Sequence, residues 1–398
     1  MLPKFLLQSY PTEKNLFLVP KFALGVIGFY PQLGKSTLMN AWALFNLIIL
    51  VYGSYAEFAF GLSFLSTDAM RALDALCPVA SSIMSVFKVC FIWWHRAEIE
   101  RLVHRVAELT AEQNSPRKLD CKRKYFANGT RLSSSVLLFG FLTSTLYTIR
   151  AGIVNYSAYV RGDEIPFETP FKMIFPQPLV SMPIFPLTFT LSHWHGYITV
   201  AGFAGADGLF LCFCMYFGTL LKALQYDLSD LLADIDSEQG SNRYAERDIE
   251  EGLKKLIARH NEIVDLINRF SAVMALMTLG QFVSSSLIIG TCVVDLLLFS
   301  DYGVFVYVTH TMAVSTELFL YCIGGTVIIE FSSELATTVY SSKWYTHSVR
   351  VQRMVLLIII RAQRSLVVKV PFFAPSLPTL TSILRFTGSL IALVKSMI

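Results

Sequence analysis

The sequence predicts an all-α membrane protein with seven transmembrane helices, a cytoplasmic N-terminus, an extracellular C-terminus and a helical cytoplasmic anchor region. The first observation behind this prediction is composition: 54% of the 398 residues are hydrophobic and 16% are charged, whereas soluble domains are about 45–50% apolar and about 25% charged. Mean hydropathy is +0.53. The formal net charge of +4 is too small for a nucleic-acid-binding surface, so we expect no such partner.

The second observation is a set of long apolar segments. About 20 helical residues cross a hydrocarbon core of ~30 Å, and in lipid every backbone group must be bonded internally, so each such segment is expected to be a helix. The seven segments are 38–60, 72–94, 132–153, 196–221, 271–298, 304–329 and 375–397. A shorter apolar segment, 354–360, is followed by Arg361 and Arg364 and predicts a helix packed at the cytoplasmic side.

The third observation is the alternation of Lys and Arg between loops. Twenty-six of these residues fall in the N-terminal segment and the second, fourth and sixth loops, against three in the first, third and fifth loops. The positive-inside rule therefore places the N-terminus in the cytoplasm and the C-terminus outside. Of two glycosylation sequons, Asn155 is expected to be modified and Asn128, which is placed inside, is not.

These features divide the chain into four parts. Residues 1–37 are a cytoplasmic segment, 38–330 a six-helix transmembrane region, 331–374 an anchor segment with a short helix, and 375–398 the seventh helix. Apolar residues recur at three- and four-residue spacing in the inner loops, which predicts helical cytoplasmic extensions over about 95–131 and 222–270. The third outer loop, with six prolines among aromatic residues, predicts an ordered lid with little regular structure.

Nothing in the sequence has the pattern of an enzyme, and we expect no cofactor. Cys212 and Cys214 lie in an apolar run without a His or carboxylate cluster, so we interpret them as core residues and expect no metal. His193 and His195 flank Trp194 and are interpreted as an interfacial belt. Gly324-Gly325 predicts close helix packing. Three acidic residues inside spans, which predict inter-helix bonding or pore access, are Asp207, Asp295 and Glu317.

The last helix is amphipathic although it lies in the membrane. At 100° per residue, a stripe of about 100° collects hydroxyl-bearing and a few apolar side chains, and branched aliphatics occupy the other face. The stripe contains Thr379, Ser382, Phe386, Ser389, Leu393, Ser396 and Met397. Such a helix is suited to line a pore, although hydroxyls that bond their own or a neighbouring helix would give the same pattern.

The C-terminal part of the chain contains several motifs in a recognisable order, namely Tyr321-Cys322, then Tyr340 four residues before Trp344, then Ser376-Leu377 at the start of the final helix. This order resembles the C-terminal signature of the insect odorant receptors. The resemblance is specific over about the last 150 residues and covers the whole chain in layout. One departure is local, because Phe386 to Ser389 stands where many members have a Tyr-Ser pair.

The resemblance implies the odorant-specific subunit of a heteromeric, odorant-gated, non-selective cation channel. Its partners would be the shared co-receptor in a heterotetramer, a small volatile apolar ligand and membrane lipid, and its location the plasma membrane of sensory neurons. A gustatory-type receptor channel is the first alternative, although the signature of that group is absent from 375–398. A metabotropic receptor conflicts with the inner N-terminus, and a transporter would be expected to show an internal repeat.

The resemblance also implies site residues. The pore gate aligns with Leu393 and Met397, with polar positions at Ser396 and Ser389. In this family the ligand pocket lies among the outer halves of the second, third, fourth and sixth spans. The polar, aromatic and Met side chains of those halves are Ser81, Ser82, Met84, Ser144, Tyr147, Thr148, Tyr197, Tyr307 and His310.

Overall fold

The computed structural model describes residues 17–32, 36–67, 69–111, 115–162, 167–233, 242–298 and 303–397. Within these ranges the chain forms ten α-helices, two short 3-10 turns and one isolated β-bridge between Val370 and Phe373. The helices are α1 (Leu18–Val26), α2 (Thr37–Phe64), α3 (Ala69–Trp94), α4 (Arg96–Ala111), α5 (Pro116–Arg161), α6 (Phe185–Ala233), α7 (Asn242–Leu298), α8 (Gly303–Tyr340), α9 (Val349–Ala362) and α10 (Leu377–Met397).

Six helices of the described chain are long and apolar enough to cross a membrane, namely α2, α3, α5, α6, α7 and α8. They contain the first six predicted spans. The predicted span at 375–397 is α10, with 21 residues. The all-helical prediction is confirmed, and α5, α6 and α7 continue beyond the predicted spans as 46-, 49- and 57-residue helices. Residues 234–241, between α6 and α7, fall outside the described residues.

Helix α6 is the centre of the bundle and is buried along most of its length. It packs against α1, α2, α3, α5, α7 and α8. Glycines on different faces of α6 allow these approaches: a Cβ at Gly202 would lie 2.3 Å from Ser85 Oγ, and one at Gly218 would lie 2.5 Å from Val327 Cγ1. Small residues let helix backbones approach closely in a membrane, so α6 can pack on every side.

The inner ends of α6, α7 and α8 form a second core with α9. The buried side of α9 presents Val351, Val355 and Ile358 to this core, whereas Leu357 and Ile360 on its other side are exposed. At the surface, a hydrogen bond from Lys254 lowers the pKa of Glu250, which also pairs with Arg350. Because α8 continues to Tyr340, the predicted boundary at residue 330 falls inside a helix.

Helix α10 begins on the surface of α8. A Cβ at Gly325 would lie 2.0 Å from Pro375 O, and the Thr326 hydroxyl accepts a hydrogen bond from the backbone N–H of Leu377. A Cβ at Gly324 would lie 3.2 Å from Cys214 Sγ of α6, so the predicted close packing at the two glycines is confirmed.

The third outer loop has little regular structure over 167–184, as predicted, apart from the 3-10 turn Gln177–Val180. Phe171 and Met173 point inward and are buried. The Asn155 side chain exchanges two 2.7 Å hydrogen bonds with the backbone of Glu168, which fixes this loop on the end of α5. Glycosylation of Asn155 stays a prediction. The side-chain amide of Asn155 also holds the third outer loop in place.

Candidate functional site

A cavity lies between α3, α5, α6 and α8, under the third outer loop, with about 450 Å³ of space between atoms, part of which is open to solvent. Binding sites for small molecules are mainly apolar, with a few placed polar groups. The apolar part of the lining comes from Pro78, Val200, Phe203, Ala313 and Val314, and Phe171 closes it from the loop. The remaining side chains of the lining are polar or aromatic.

Backbone features of three helices create this space. Pro78 lies inside α3, where it lacks an N–H and weakens the helical hydrogen bonding one turn back. Gly140 of α5 and Gly196 of α6 line the cavity without a side chain. A Cβ at Gly196 would lie 2.5 Å from both the Phe171 ring and Ser144 Oγ, so a side chain at this position would displace part of the lining.

Glu57, Ser82 and His195 form a buried polar group at one wall. The Ser82 hydroxyl donates to Glu57 Oε2 at 2.8 Å, and His195 Nε2 lies 3.3 Å from Glu57 Oε1. This second pair is close, but Glu57 Oε1 has no hydrogen bond of acceptable geometry within the described ranges. Ser82 Oγ also lies 3.4 Å from His195 Nε2. A cluster contributed by α2, α3 and α6 is therefore held together by a short hydrogen bond, a longer one and a close approach.

Two hydroxyls of the lining have no hydrogen-bond partner among the described residues. Ser144 Oγ on α5 and Thr199 Oγ1 on α6 are buried and make no hydrogen bond with any residue that the structure describes. A buried polar atom without a partner costs about 1–3 kcal/mol. Both residues line the cavity, so a polar group of a bound molecule can reach them and supply the missing bond.

Two further groups of buried charged side chains bond neighbouring helices to each other, one in the cavity lining and one deeper in the bundle. Glu317 of α8 accepts a hydrogen bond from Gln281 of α7 at 2.8 Å. Deeper in the bundle, Lys88 Nζ of α3 lies 2.5 Å from Asp207 Oδ1 of α6, and the Tyr321 hydroxyl donates to the same oxygen. Asp207 and Glu317 thus form inter-helix bonds, one of the two roles predicted for them. The side chain of Asp295 lies outside the described residues.

Five of the nine predicted pocket residues line the cavity, and they are Ser81, Ser82, Ser144, Tyr147 and His310. The other four lie elsewhere. Thr148 bonds His193 Nδ1 at 2.7 Å and Tyr197 pairs with Thr145, both away from the lining. Tyr307 is fully buried in packing, and Met84 lies against Gly280 of α7. The helices implied by the resemblance surround the cavity, but the side chains of these four residues do not line it.

The interfacial interpretation of His195 is wrong. Its side chain is 2% exposed and lines the cavity. Trp194 is half-buried and donates to Asn46 Oδ1. Glu57, Lys88 and Thr199 were not among the predicted site residues. A charged residue inside an apolar span, the signal that identified Asp207, is present for both Glu57 and Lys88, whereas no sequence signal distinguishes Thr199 from other membrane hydroxyls.

The predicted pore residues lie on α10. Ser389 is exposed, and its hydroxyl donates to Arg385 O. Ser382, on the same stripe, is exposed too and bonds Pro378 O. Leu393, Ser396 and Met397 belong to the helix, but their side chains lie outside the described residues. The opposite face of α10 packs Leu380 and Ile383 against the bundle.

The chain is similar to known proteins over its whole length. A family model described as 7tm Odorant receptor matches residues 68–388. Odorant receptor 24a of Drosophila melanogaster is 52% identical, with all of both chains covered, and Odorant receptor 10a of the same species is 31% identical over 99% of this chain and 98% of that protein. The solved structure of the insect olfactory receptor OR5 from Machilis hrabei aligns with a TM-score of 0.79 at 16% identity, covering 96% of each chain. That receptor has also been solved in complex with eugenol, with a TM-score of 0.78.

Proposed function

We propose that this chain, which belongs to the 7tm odorant receptor family, is the odorant-specific subunit of a non-selective cation channel. The channel would assemble with the family's shared co-receptor in the plasma membrane of sensory neurons. The observation that carries the ligand-binding part is the cavity with its unpartnered hydroxyls, because it offers a small molecule both apolar surface and unsatisfied hydrogen-bonding groups.

The ligand would be a small volatile molecule that is mainly apolar and has one polar group. The lining is apolar for the most part, and the hydroxyls of Ser144 and Thr199 are available for one or two hydrogen bonds. The related receptor from Machilis hrabei, solved with eugenol, supports a ligand of this size. Because an apolar pocket discriminates by shape, and one methylene is worth only about 1–3 kcal/mol, the chemical class can be inferred but not the compound.

Helix α8 provides a direct connection between the cavity and α10. His310 and Glu317 of α8 line the cavity, and two turns further along the same helix Gly325 and Thr326 hold the start of α10. A ligand that favours one position of α8 would therefore also favour one position of α10. Ligands shift such an equilibrium by their differential affinity for the two positions.

The pore would be lined by the exposed stripe of α10. Ser382 and Ser389 point away from the chain's own bundle, as an axis shared by four subunits requires. Leu393 and Met397 would form the gate, with Ser396 between them, since apolar rings close pores by excluding water. The exposed apolar side of α9, with Leu357 and Ile360, is available for contact with sister subunits.

The proposal is tested by expressing the chain with and without a co-receptor and recording cation current during application of a panel of volatile compounds. We expect odorant-evoked current from the pair and little or none from the chain alone. Equal current from the chain expressed alone would show that the co-receptor is not required. Evoked signals that require a G protein, with no direct current, would favour the metabotropic alternative.

The pore assignment is tested separately, beside the co-receptor and with surface expression measured. Leu393→Ala should raise basal cation leak by easing wetting of the constriction. Leu384→Ala, on the opposite side of α10, is the matched control and should leave leak unchanged. Equal leak in the two variants would mean that the hydroxyl stripe only bonds its own helix and that the pore lies elsewhere.

A further inference from the structure

A second cluster of chemically active side chains begins at His310 of the cavity lining and includes two buried cysteines. Cys77 of α3, Cys292 of α7 and His310 of α8 are all buried, and one potential ligand atom from each lies within 4.8 Å of the others. The two sulfurs are 3.1 Å apart, and Cys77 Sγ is 3.6 Å from His310 Nδ1. We propose that Cys77, Cys292 and His310 bind a zinc ion that joins α3, α7 and α8 beside the cavity. This inference is independent of the proposed function.

The spacing of the three atoms is close to that of a zinc site. Tetrahedral zinc, with Zn–S of about 2.3 Å and Zn–N of about 2.0–2.1 Å, places a sulfur and a nitrogen about 3.6 Å apart and two sulfurs about 3.8 Å apart. The distance of 3.6 Å between Cys77 Sγ and His310 Nδ1 equals the sulfur–nitrogen distance of such a site. The two sulfurs would separate by about 0.7 Å from their present 3.1 Å, a shift within reach of side-chain rotation.

The second nitrogen of His310 is positioned as in other metal-binding histidines. Its Nε2 lies 3.1 Å from Ser81 Oγ. When Nε2 carries the proton and donates it to Ser81, the lone pair of Nδ1 points toward Cys77. A hydrogen bond from the other ring nitrogen is the usual device that fixes the tautomer and orientation of a histidine ligand. Ser81 is therefore a positioning residue for this site.

Charge favours Zn²⁺ over monovalent thiophilic ions. Two thiolates neutralise the charge of Zn²⁺, and imidazole adds none, so the occupied site is neutral overall. A monovalent ion such as Cu⁺ would leave one net negative charge. An unpaired charge is very costly to bury, which disfavours that occupant among three fully buried residues. The set provides three protein ligands and leaves a fourth position open, as zinc sites that bind an additional molecule do.

Zinc content of the purified full-length chain tests the proposal. We expect about one zinc per folded chain, measured by plasma mass spectrometry after gel filtration, and a severalfold lower content in Cys77→Ser, Cys292→Ser and His310→Gln. Cys214→Ser is the matched control, because Cys214 is equally buried but has none of these partners, and it should retain the metal. Ser81→Ala keeps all three ligands and should lower zinc affinity about 10–100-fold.

A measurement on the unaltered chain keeps the test decisive if a cysteine variant does not fold. Co²⁺ added to the metal-free chain should produce a thiolate-to-metal absorption band that Zn²⁺ abolishes. A folded chain without this band, and without zinc above the level of the His310→Gln variant, would overturn the proposal. So would peptide mapping that finds Cys77 and Cys292 joined as a disulfide.

Discussion

The ion pair of Lys88 and Asp207 and the polar wall of the outer cavity lie in one bundle but differ in how their polar atoms are bonded. Lys88 and Tyr321 both bond Asp207 Oδ1, which leaves only the second carboxylate oxygen without a partner in the described chain. In the cavity, Ser144 and Thr199 have no partner for their hydroxyls. Polar atoms that are bonded to each other hold helices together, whereas unbonded ones beside empty space are suited to bind a ligand.

The difference has an energetic consequence. Removing one member of the ion pair leaves a charge buried without a counter-charge, which costs about 3–5 kcal/mol. Removing an unpartnered hydroxyl of the cavity breaks no bond in the protein and removes a buried polar group that is already unsatisfied. Substitutions at the ion pair should therefore reduce stability, and substitutions at the cavity should change the response to ligand.

The largest effect is expected from Lys88→Met. The Asp207 carboxylate would remain buried between α3, α6 and α8 with only Tyr321 as a donor, so we expect a loss of stability of about 3–5 kcal/mol. The measurement is the thermal stability of the detergent-solubilised chain and its surface level. The double variant Lys88→Met with Asp207→Asn keeps an acceptor for Tyr321 without the charge and should recover most of the loss. Equal stability of Lys88→Met and the unaltered chain would contradict a structural role for the pair.

An intermediate effect is expected from Gly53→Ala, which alters the cavity wall by packing. A Cβ on Gly53 of α2 would lie 2.2 Å from His195 Nδ1, so the imidazole must move away from Glu57. Overpacking of this kind costs about 1–3 kcal/mol, and we expect both reduced thermal stability and a changed ligand response. Gly152→Ala is the control, since its Cβ meets nothing within 4 Å, and alanine should stabilise the helix by about 0.5–1 kcal/mol. If Gly53→Ala and Gly152→Ala had the same thermal stability and the same ligand response, α2 would have moved to accommodate the added methyl group.

Sequence alone could predict the helices of this bundle because the signals are local. Apolar length and the distribution of Lys and Arg identify the spans, and three- and four-residue spacing identifies the inner extensions of α5, α6 and α7. The exact lengths of the helices could be predicted less well from the sequence. The predicted boundary at residue 330 falls inside α8, which continues to Tyr340 and packs Leu335 and Val339 in a common core with α9.

The site was less predictable because it depends on which side chains of different helices meet. Ser81 and His310 were predicted individually as pocket residues, and only the arrangement of α3 and α8 around the cavity brings their side chains within 3.1 Å. His195 was assigned to the membrane surface because of its neighbour Trp194, yet Gly53 creates the space in which its ring is buried. A glycine on one helix that accommodates a ring on another has no signature in either local sequence.

The smallest effect on stability and the most specific effect on function are expected from Ser144→Ala. Ser144 and its neighbour Thr143 both line the cavity, but the Thr143 hydroxyl donates to Phe139 O of its own helix, whereas the Ser144 hydroxyl has no partner in the described chain. Thr143→Val is therefore a matched control within the same pocket.

For Ser144→Ala we expect thermal stability unchanged to within about 1 kcal/mol and a half-maximal concentration raised about 5–10-fold for an agonist that contains an oxygen, the equivalent of one lost hydrogen bond of about 1 kcal/mol. The hydrocarbon counterpart of that agonist should be affected less than twofold, and Thr143→Val should leave the ratio between the two compounds unchanged. The readout is a pair of concentration–response curves for cation current beside the co-receptor. If Ser144→Ala and Thr143→Val shift the half-maximal concentrations of both compounds equally, the cavity recognises shape alone. Its unpartnered hydroxyls would then contribute no more to binding than the bonded groups of the ion pair do.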